Sequence, residues 1–167
     1  MVQGLLRAPK WETVLQKGTE VGVSNFVPVR CRRSVVSRSD DLGRTARWRQ
    51  IVQEAAEQSG RGVVPEVQAT VTFSEGCRVS APVRILLHPG SASISLSQAL
   101  QASEPVTALA LYVGPEGGFD AAEVEEARSQ GLAVAHLGPR ILRTETAGPV
   151  AAAMVLYALG EMERAED

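Results

Sequence analysis

Residues Leu111–Asp120 read LYVGPEGGFD. A hydrophobic run enters this stretch, and three glycines, a proline and a glutamate fill its middle. Asp120 and Glu123 then have the spacing of a capping box, with Asp in place of Ser or Thr, so a helix should follow. A tight turn needs one glycine. Three between Gly114 and Gly118 suggest that something is held against the main chain itself.

The segment feeding this turn, ALALYV (108–113), is apolar throughout, the pattern of a strand covered on both faces. VRILLHP (83–89) and LAVAHLG (132–138) share it. Between them a helix is expected from Ala121 to Gln130, stopped by Gly131. Toward the N-terminus, KWETVLQKGTEV (10–21) has helical spacing with Gly22 as its stop, and FVPVR (26–30) reads as a short strand. A second helix starts at Asp41 or Thr45, carries the stripe Trp48, Ile51, Val52 and Ala55, and ends at Gly60. VVPEVQA (63–69) is an ambiguous extended piece, and Gln98 to Ala102 a helical turn or two. A last helix places Val150, Ala153, Met154 and Tyr157 on one face, with Pro149 expected in its first turn. Strands alternating with helices define an α/β fold with a parallel sheet flanked by helices. In such sheets ligands sit beyond the carboxyl ends of the strands. His88 to Gly90, Gly114 to Gly118 and Gly138 to Gly148 are loops at such ends. If their strands are neighbours, these loops converge.

The chain has 167 residues, enough for one domain with a real core. Its hydrophobic share is 44% and its charged share 22%, close to an ordinary globular protein. No apolar run approaches a membrane span, and MVQGLLRAPK lacks an adequate signal-peptide core. Cys31 and Cys77 are isolated, which points to a reduced cytoplasmic protein with two free thiols and neither a disulfide framework nor a metal site. Charge is uneven. The window from Arg30 to Arg49 holds seven arginines against Asp40 and Asp41, a net +5 in a chain of net −2. Arginine's planar fork suits phosphate, although a solvated helix face could carry the same charges without function.

No GxxxxGK[ST] and no GxGxxG following a strand is present. GPEGG could cradle an anion through its free amides, yet Glu116 would repel phosphate. A ligand bearing a cation or a donor-rich ring fits better; equally, GPEGG could be a tight turn with Glu116 facing solvent. GPRILRTETA (138–147) sets Ile141 and Leu142 inside a polar loop, where they could wall a flat apolar pocket while backbone amides read a ring edge. Thr144 or Thr146 could instead cap the last helix.

These two loops, in this order, resemble the SPOUT superfamily of S-adenosylmethionine-dependent RNA methyltransferases, most closely its bacterial 16S rRNA (uracil-N3)-methyltransferase family. LQKGTEVGV (15–23), VPVRCRRSVV (27–36), WRQIVQEAAEQSGR (48–61), VGPEGGF (113–119) and LGPRILRTETA (137–147) carry the resemblance through most of the chain. It implies a C-terminal deep trefoil knot, which no periodicity predicts because knots are so rare. It implies S-adenosyl-L-methionine bound by Leu86, His88 and Pro89 of the first loop and by Val113, Gly114, Glu116 and Gly118 of the second. Leu137, Gly138, Ile141, Leu142, Arg143, Thr144 and Ala147 would form the third. It implies a homodimer acting on 16S rRNA of the small ribosomal subunit. Arg143 would stabilise charge developing on a uracil carbonyl, Glu145 would orient it or assist removal of the N3 proton, and Arg30, Arg32, Arg33 and Arg38 would hold phosphates. The methyl on a sulfonium is already electrophilic, so the implied reaction calls for no metal.

Three features depart from the family pattern. The usual N-terminal PUA-like domain has no room before residue 10, so residues 1–167 are expected to form the SPOUT domain alone. Gly18 replaces a usual alanine, and Gly148-Pro149 a small apolar pair. A SPOUT enzyme acting on tRNA or another rRNA base, or a non-catalytic RNA-binding homologue, are the alternatives.

Overall fold

The computed structural model describes residues 1–35, 41–103 and 105–163. The strands are β1 (Val2–Gly4), β2 (Asn25–Arg30), β3 (Glu66–Val67), β4 (Val71–Thr72), β5 (Val83–Leu87), β6 (Ile94–Ser95), β7 (Leu109–Val113) and β8 (Ala133–His136). The helices are α1 (Lys10–Val21), α2 (Asp41–Gln58), α3 (Phe73–Gly76), α4 (Leu96–Gln101), α5 (Ala121–Ser129) and α6 (Thr144–Ala158). All pairings are parallel, and the sheet runs β3-β2-β1-β7-β5-β8-β6, with β4 also on β2. The three apolar strands of the sequence reading are therefore adjacent, as β7, β5 and β8, and their carboxyl-end loops do meet.

Alternation along the strands divides the core. Leu86, Tyr112 and Val134 join Val124 and Ala127 of α5 on one face. Ile85, Leu87, Leu111, Val113 and Ala135 meet Leu96, Ala99, Ala151, Ala152 and Val155 of α4 and α6 on the other. Over β1 and β2, Leu5, Leu6 and Phe26 pack with Trp11, Val14 and Leu15 of α1 and Trp48 and Val52 of α2.

The helix signals hold. Gly22 follows α1 at φ 126°, and Gly131 follows α5 at φ 80°. The α5 capping box is formed: Asp120 accepts from the Ala122 amide, and Glu123 from that of Asp120. Gly18 has a packing reason, since a Cβ there would lie 2.8 Å from a ring carbon of Phe26. Helix propensity loses about 1 kcal/mol to glycine, but the close approach of α1 to β2 requires it.

One expectation is corrected. Pro149 is not in the first turn of the last helix, because α6 begins at Thr144. It therefore sits inside the helix and leaves the carbonyl of Glu145 without its usual amide. The face bearing Val150, Met154 and Tyr157 points outward, with Tyr157 77% exposed; the buried side is Gly148, Pro149, Ala151, Ala152 and Val155. Central strand β1 was not foreseen at all.

Candidate functional site

Strand β7 delivers the chain into GPEGG, and β8 delivers it into GPRILRTETA. Between these loops and the end of β5 lies a cavity of about 420 Å³. His88, Pro89, Val113, Gly114, Glu116, Gly118, Leu137, Gly138, Ile141, Leu142, Arg143, Thr144 and Ala147 all line it. Leu86 does not: it is fully buried on the opposite face of β5, and its neighbour Leu87 lines the cavity instead. A strand reverses its side chains at every residue, so one step of register moves a residue across the sheet.

Glycine shapes the second loop. Gly118 has φ 67°, a left-handed conformation, and its amide donates to the carbonyl of Pro115 at 2.8 Å. A Cβ on Gly114 would lie 3.1 Å from the backbone of Gly118 and Phe119. Gly138 turns at φ 101°, and its amide donates to His136 Nδ1 at 3.0 Å.

The loops are tied by a buried amide. Gln3, on β1 and 0% exposed, sets its Nε2 3.2 Å from the carbonyl of Gly114, 3.3 Å from that of Val113 and 3.1 Å from Thr144 Oγ1. Thr144 in turn donates to the carbonyl of Gly114. Strand β1, the glycine loop and the start of α6 thus share one hydrogen-bonded joint.

Charge gathers beside it. Lys10 Nζ lies 3.7 Å from Glu116 and 3.7 Å from Glu145, bridging the two loops. The second oxygen of Glu145 is buried with no hydrogen-bond partner among the described residues. Glu145 is thus held by Lys10 of α1, and Arg143 is exposed at the head of α6. Burial, then the charges of Arg128 and Arg33, lower the pKa of His88, which keeps its ring neutral.

The basic segment docks onto the same rim. Buried Glu123 accepts from the amides of Asp120 and Arg32, both at 2.8 Å. Asp120 lies 3.7 Å from Arg32 and 3.8 Å from Arg33, and Arg33 Nη1 donates to the carbonyl of Gly117 at 3.1 Å. Arg30 ends β2; Arg38 lies outside the described residues. Free Cys31 and Cys77 are buried, and burial pushes the Cys77 thiol up to about 11. Among the described residues no group of His, Cys, Asp or Glu is arranged to hold a metal ion, and no helix is long and apolar enough to cross a membrane.

Sequence reasoning missed Gln3, Lys10 and Glu123. Gln3 and Lys10 come from segments more than a hundred residues before the loops they serve, and no local signal marks them. Glu123 was visible only as a cap.

This parallel α/β fold, with its cavity at the strand ends, is that of a methyltransferase: the chain belongs to the RNA methyltransferase domain family, whose model matches residues 1–156. Among its relatives, ribosomal RNA small subunit methyltransferase E of Bacillus subtilis (strain 168) is 37% identical over 165 residues, 94% of this chain and 64% of that protein. The protein of the same name from Synechocystis sp. (strain ATCC 27184 / PCC 6803 / Kazusa) is 34% identical, covering 87% of this chain and 48% of its own length. A crystal structure of ribosomal RNA small subunit methyltransferase E from Neisseria gonorrhoeae, bound to S-adenosyl methionine, superposes with TM-score 0.88 at 32% identity, over 97% of this chain and 66% of that one. A putative methyltransferase from Legionella pneumophila, in complex with the same cofactor, gives TM-score 0.84 at 30% identity, over 94% and 66%. The chain spans less than two thirds of the length of these relatives.

Proposed function

We propose that the chain binds S-adenosyl-L-methionine in the cavity between the two loops and methylates N3 of a uridine in 16S rRNA. The observation that carries this reading is the convergence of GPEGG and GPRILRTETA on one cavity, joined through Gln3 and Thr144. The cavity suits the cofactor chemically. Its volume is that of a small-molecule site, Leu87, Val113, Leu137 and Leu142 give apolar walls for a ring, and Glu116 supplies a carboxylate toward a cation. A Cβ on Gly114 or Gly117 would crowd its neighbours, at 3.1 Å from the Gly118 backbone and 3.0 Å from Arg33 Cβ. Further support is the name shared by relatives 34–37% identical and the cofactor in the two structures.

The cofactor supplies an electrophilic methyl group. The chain's own part is to place an unpaired uracil with N3 in line, about 3–3.5 Å from that carbon. Arg143, at the mouth, stabilises negative charge developing on a uracil carbonyl. Glu145, held by Lys10 and keeping one oxygen unpartnered, receives the N3 proton. Arg30, Arg32, Arg33 and Arg38 hold phosphates and set register. The described part forms one methyltransferase unit, with the C-terminal segment threaded as a deep trefoil knot. The outward stripe of Val150, Met154 and Tyr157 meets a second copy in a homodimer that works in the cytoplasm.

Calorimetry with S-adenosylmethionine tests the site: saturable heat from wild type is expected, and no heat ends the reading. Arg143→Ala should cut methylation at saturating cofactor about 100-fold, a loss beyond any weakening of the cofactor heat. Mass mapping of 16S rRNA from a strain lacking the gene should show one uridine without its N3 methyl; loss from a tRNA or another base would replace the substrate.

A further inference from the structure

Another cavity of about 420 Å³ opens at the carboxyl end of β1. It is lined by Leu5, Leu6, Trp11 and Trp48 on its apolar side, and by Arg7, Arg44, Arg47 and Glu12 on its polar side. The two indoles pack 5.2 Å apart at 57°, and they are the only tryptophans in the chain. Glu12 binds the Arg47 fork through two hydrogen bonds of 2.6 and 3.0 Å. Arg7 is exposed and makes no ion pair among the described residues. Three arginines against one carboxylate leave the lining net positive. The indole N–H of Trp11 is buried and finds no acceptor among the described residues.

Such a lining offers cations for a phosphate, apolar walls for a ring, and a spare donor. The chain between β1 and α1 links it to the methyl-donor cavity. Arg7 and Ala8 line the one, and Lys10, two residues on, reaches Glu116 in the lining of the other. We infer that this cavity receives a nucleotide of single-stranded RNA flanking the target base, its phosphate at the arginines and its base toward the indoles. The inference rests on the reading that the chain acts on RNA. It assigns a place for the strand that the basic segment 30–49 does not by itself define.

Because both tryptophans line this cavity and neither lines the other, their emission reports on it directly. A short single-stranded oligoribonucleotide carrying a uridine is titrated against the whole chain. Fluorescence anisotropy of the labelled strand records binding anywhere, and tryptophan emission records this cavity. Emission should change with the same midpoint as anisotropy, and inorganic phosphate alone should leave it unchanged. Arg7→Ala, a surface change, should weaken both midpoints several-fold and lower the salt slope of log affinity by about 1. Strand binding with unchanged emission overturns the inference, as does an equal response to phosphate alone or an unaltered salt slope in Arg7→Ala. Calorimetric heat with S-adenosylmethionine in the same samples keeps the methyltransferase reading standing when this one falls. Absence of that heat, with emission still responding to RNA, reverses the two.

Discussion

The two cavities at the strand ends have the same volume and opposite construction. The one between the glycine loops is made largely of main chain and apolar side chains, positioned by turns that only particular residues can form. The one beside β1 is made of side chains from three separate segments, an extended strand exit and two helices. Main chain can be aimed only by local sequence, so the first cavity leaves a compact signature. Side chains can be gathered from anywhere, so the second leaves none.

The sharpest way to break the comparison is to stiffen or crowd the backbone-built site. A Cβ on Gly4 would sit 2.6 Å from both the nitrogen and the Cδ of Pro115, and neither atom can swing aside. Gly4→Ala should destabilise the chain by about 3 kcal/mol and weaken cofactor binding, read by thermal denaturation and calorimetry. An unchanged melting temperature would mean that the loop slides freely and is not a fixed mould. Thr144→Val is the next test. It removes the hydroxyl shared by Gly114 and Gln3, so it should cost about 1–3 kcal/mol, with the larger share of the damage in cofactor affinity.

Acid gives a smaller effect and a direction. Burial lowers the pKa of His88 below its ordinary 6.5, so the unfolded chain takes up that proton first as the pH falls. Stability from keeping this ring neutral is full above pH 6.5 and is lost as the pH drops below it toward the lowered value. His88→Asn should flatten that part of the stability profile measured by denaturant titration, and a slope that survives would put its origin elsewhere. The side-chain-built cavity should respond least. In its Glu12–Arg47 pair Arg47 is exposed and Glu12 half-buried, and the hydrogen bond to Arg47 holds the Glu12 carboxyl below its usual range. Arg47→Ala should barely move the melting temperature at neutral pH. A drop as large as that of Thr144→Val would show that the pair is structural.

Much of the fold was legible because its strands are buried on both faces and its helices are punctuated by glycine and capping boxes. ALALYV, VRILLHP and LAVAHLG read as strands of a covered sheet, whereas their adjacency was only a condition of the sequence reading and is set by the pairings of β5 with β7 and β8. β1 was hidden because only Val2, Gln3 and Gly4 form it, with a polar residue in the middle that reads as surface. Gln3 is buried because its amide meets acceptors on the glycine loop and α6, partners no local window contains. Leu86 was assigned to the cavity in place of Leu87 because a resemblance transfers a motif more surely than the parity of a strand. The pairing of Glu145 with Lys10 was out of view for a related reason: Lys10 is near it in space and far from it in sequence. Pro149 was placed in the first turn because the rule for proline is strong, yet close packing of α6 on β1 at Gly148, where a Cβ would lie 3.1 Å from Met1 Sδ, sustains the helix regardless.

The position of β1 also governs the order in which the molecule can be made. Val2 to Gly4 pair with β2 soon after synthesis, but their other neighbour, β7, emerges more than a hundred residues later. Until then the middle of the sheet is an open edge with a buried-type amide facing water, so the nascent chain should mature slowly and only after its C-terminal half has left the ribosome.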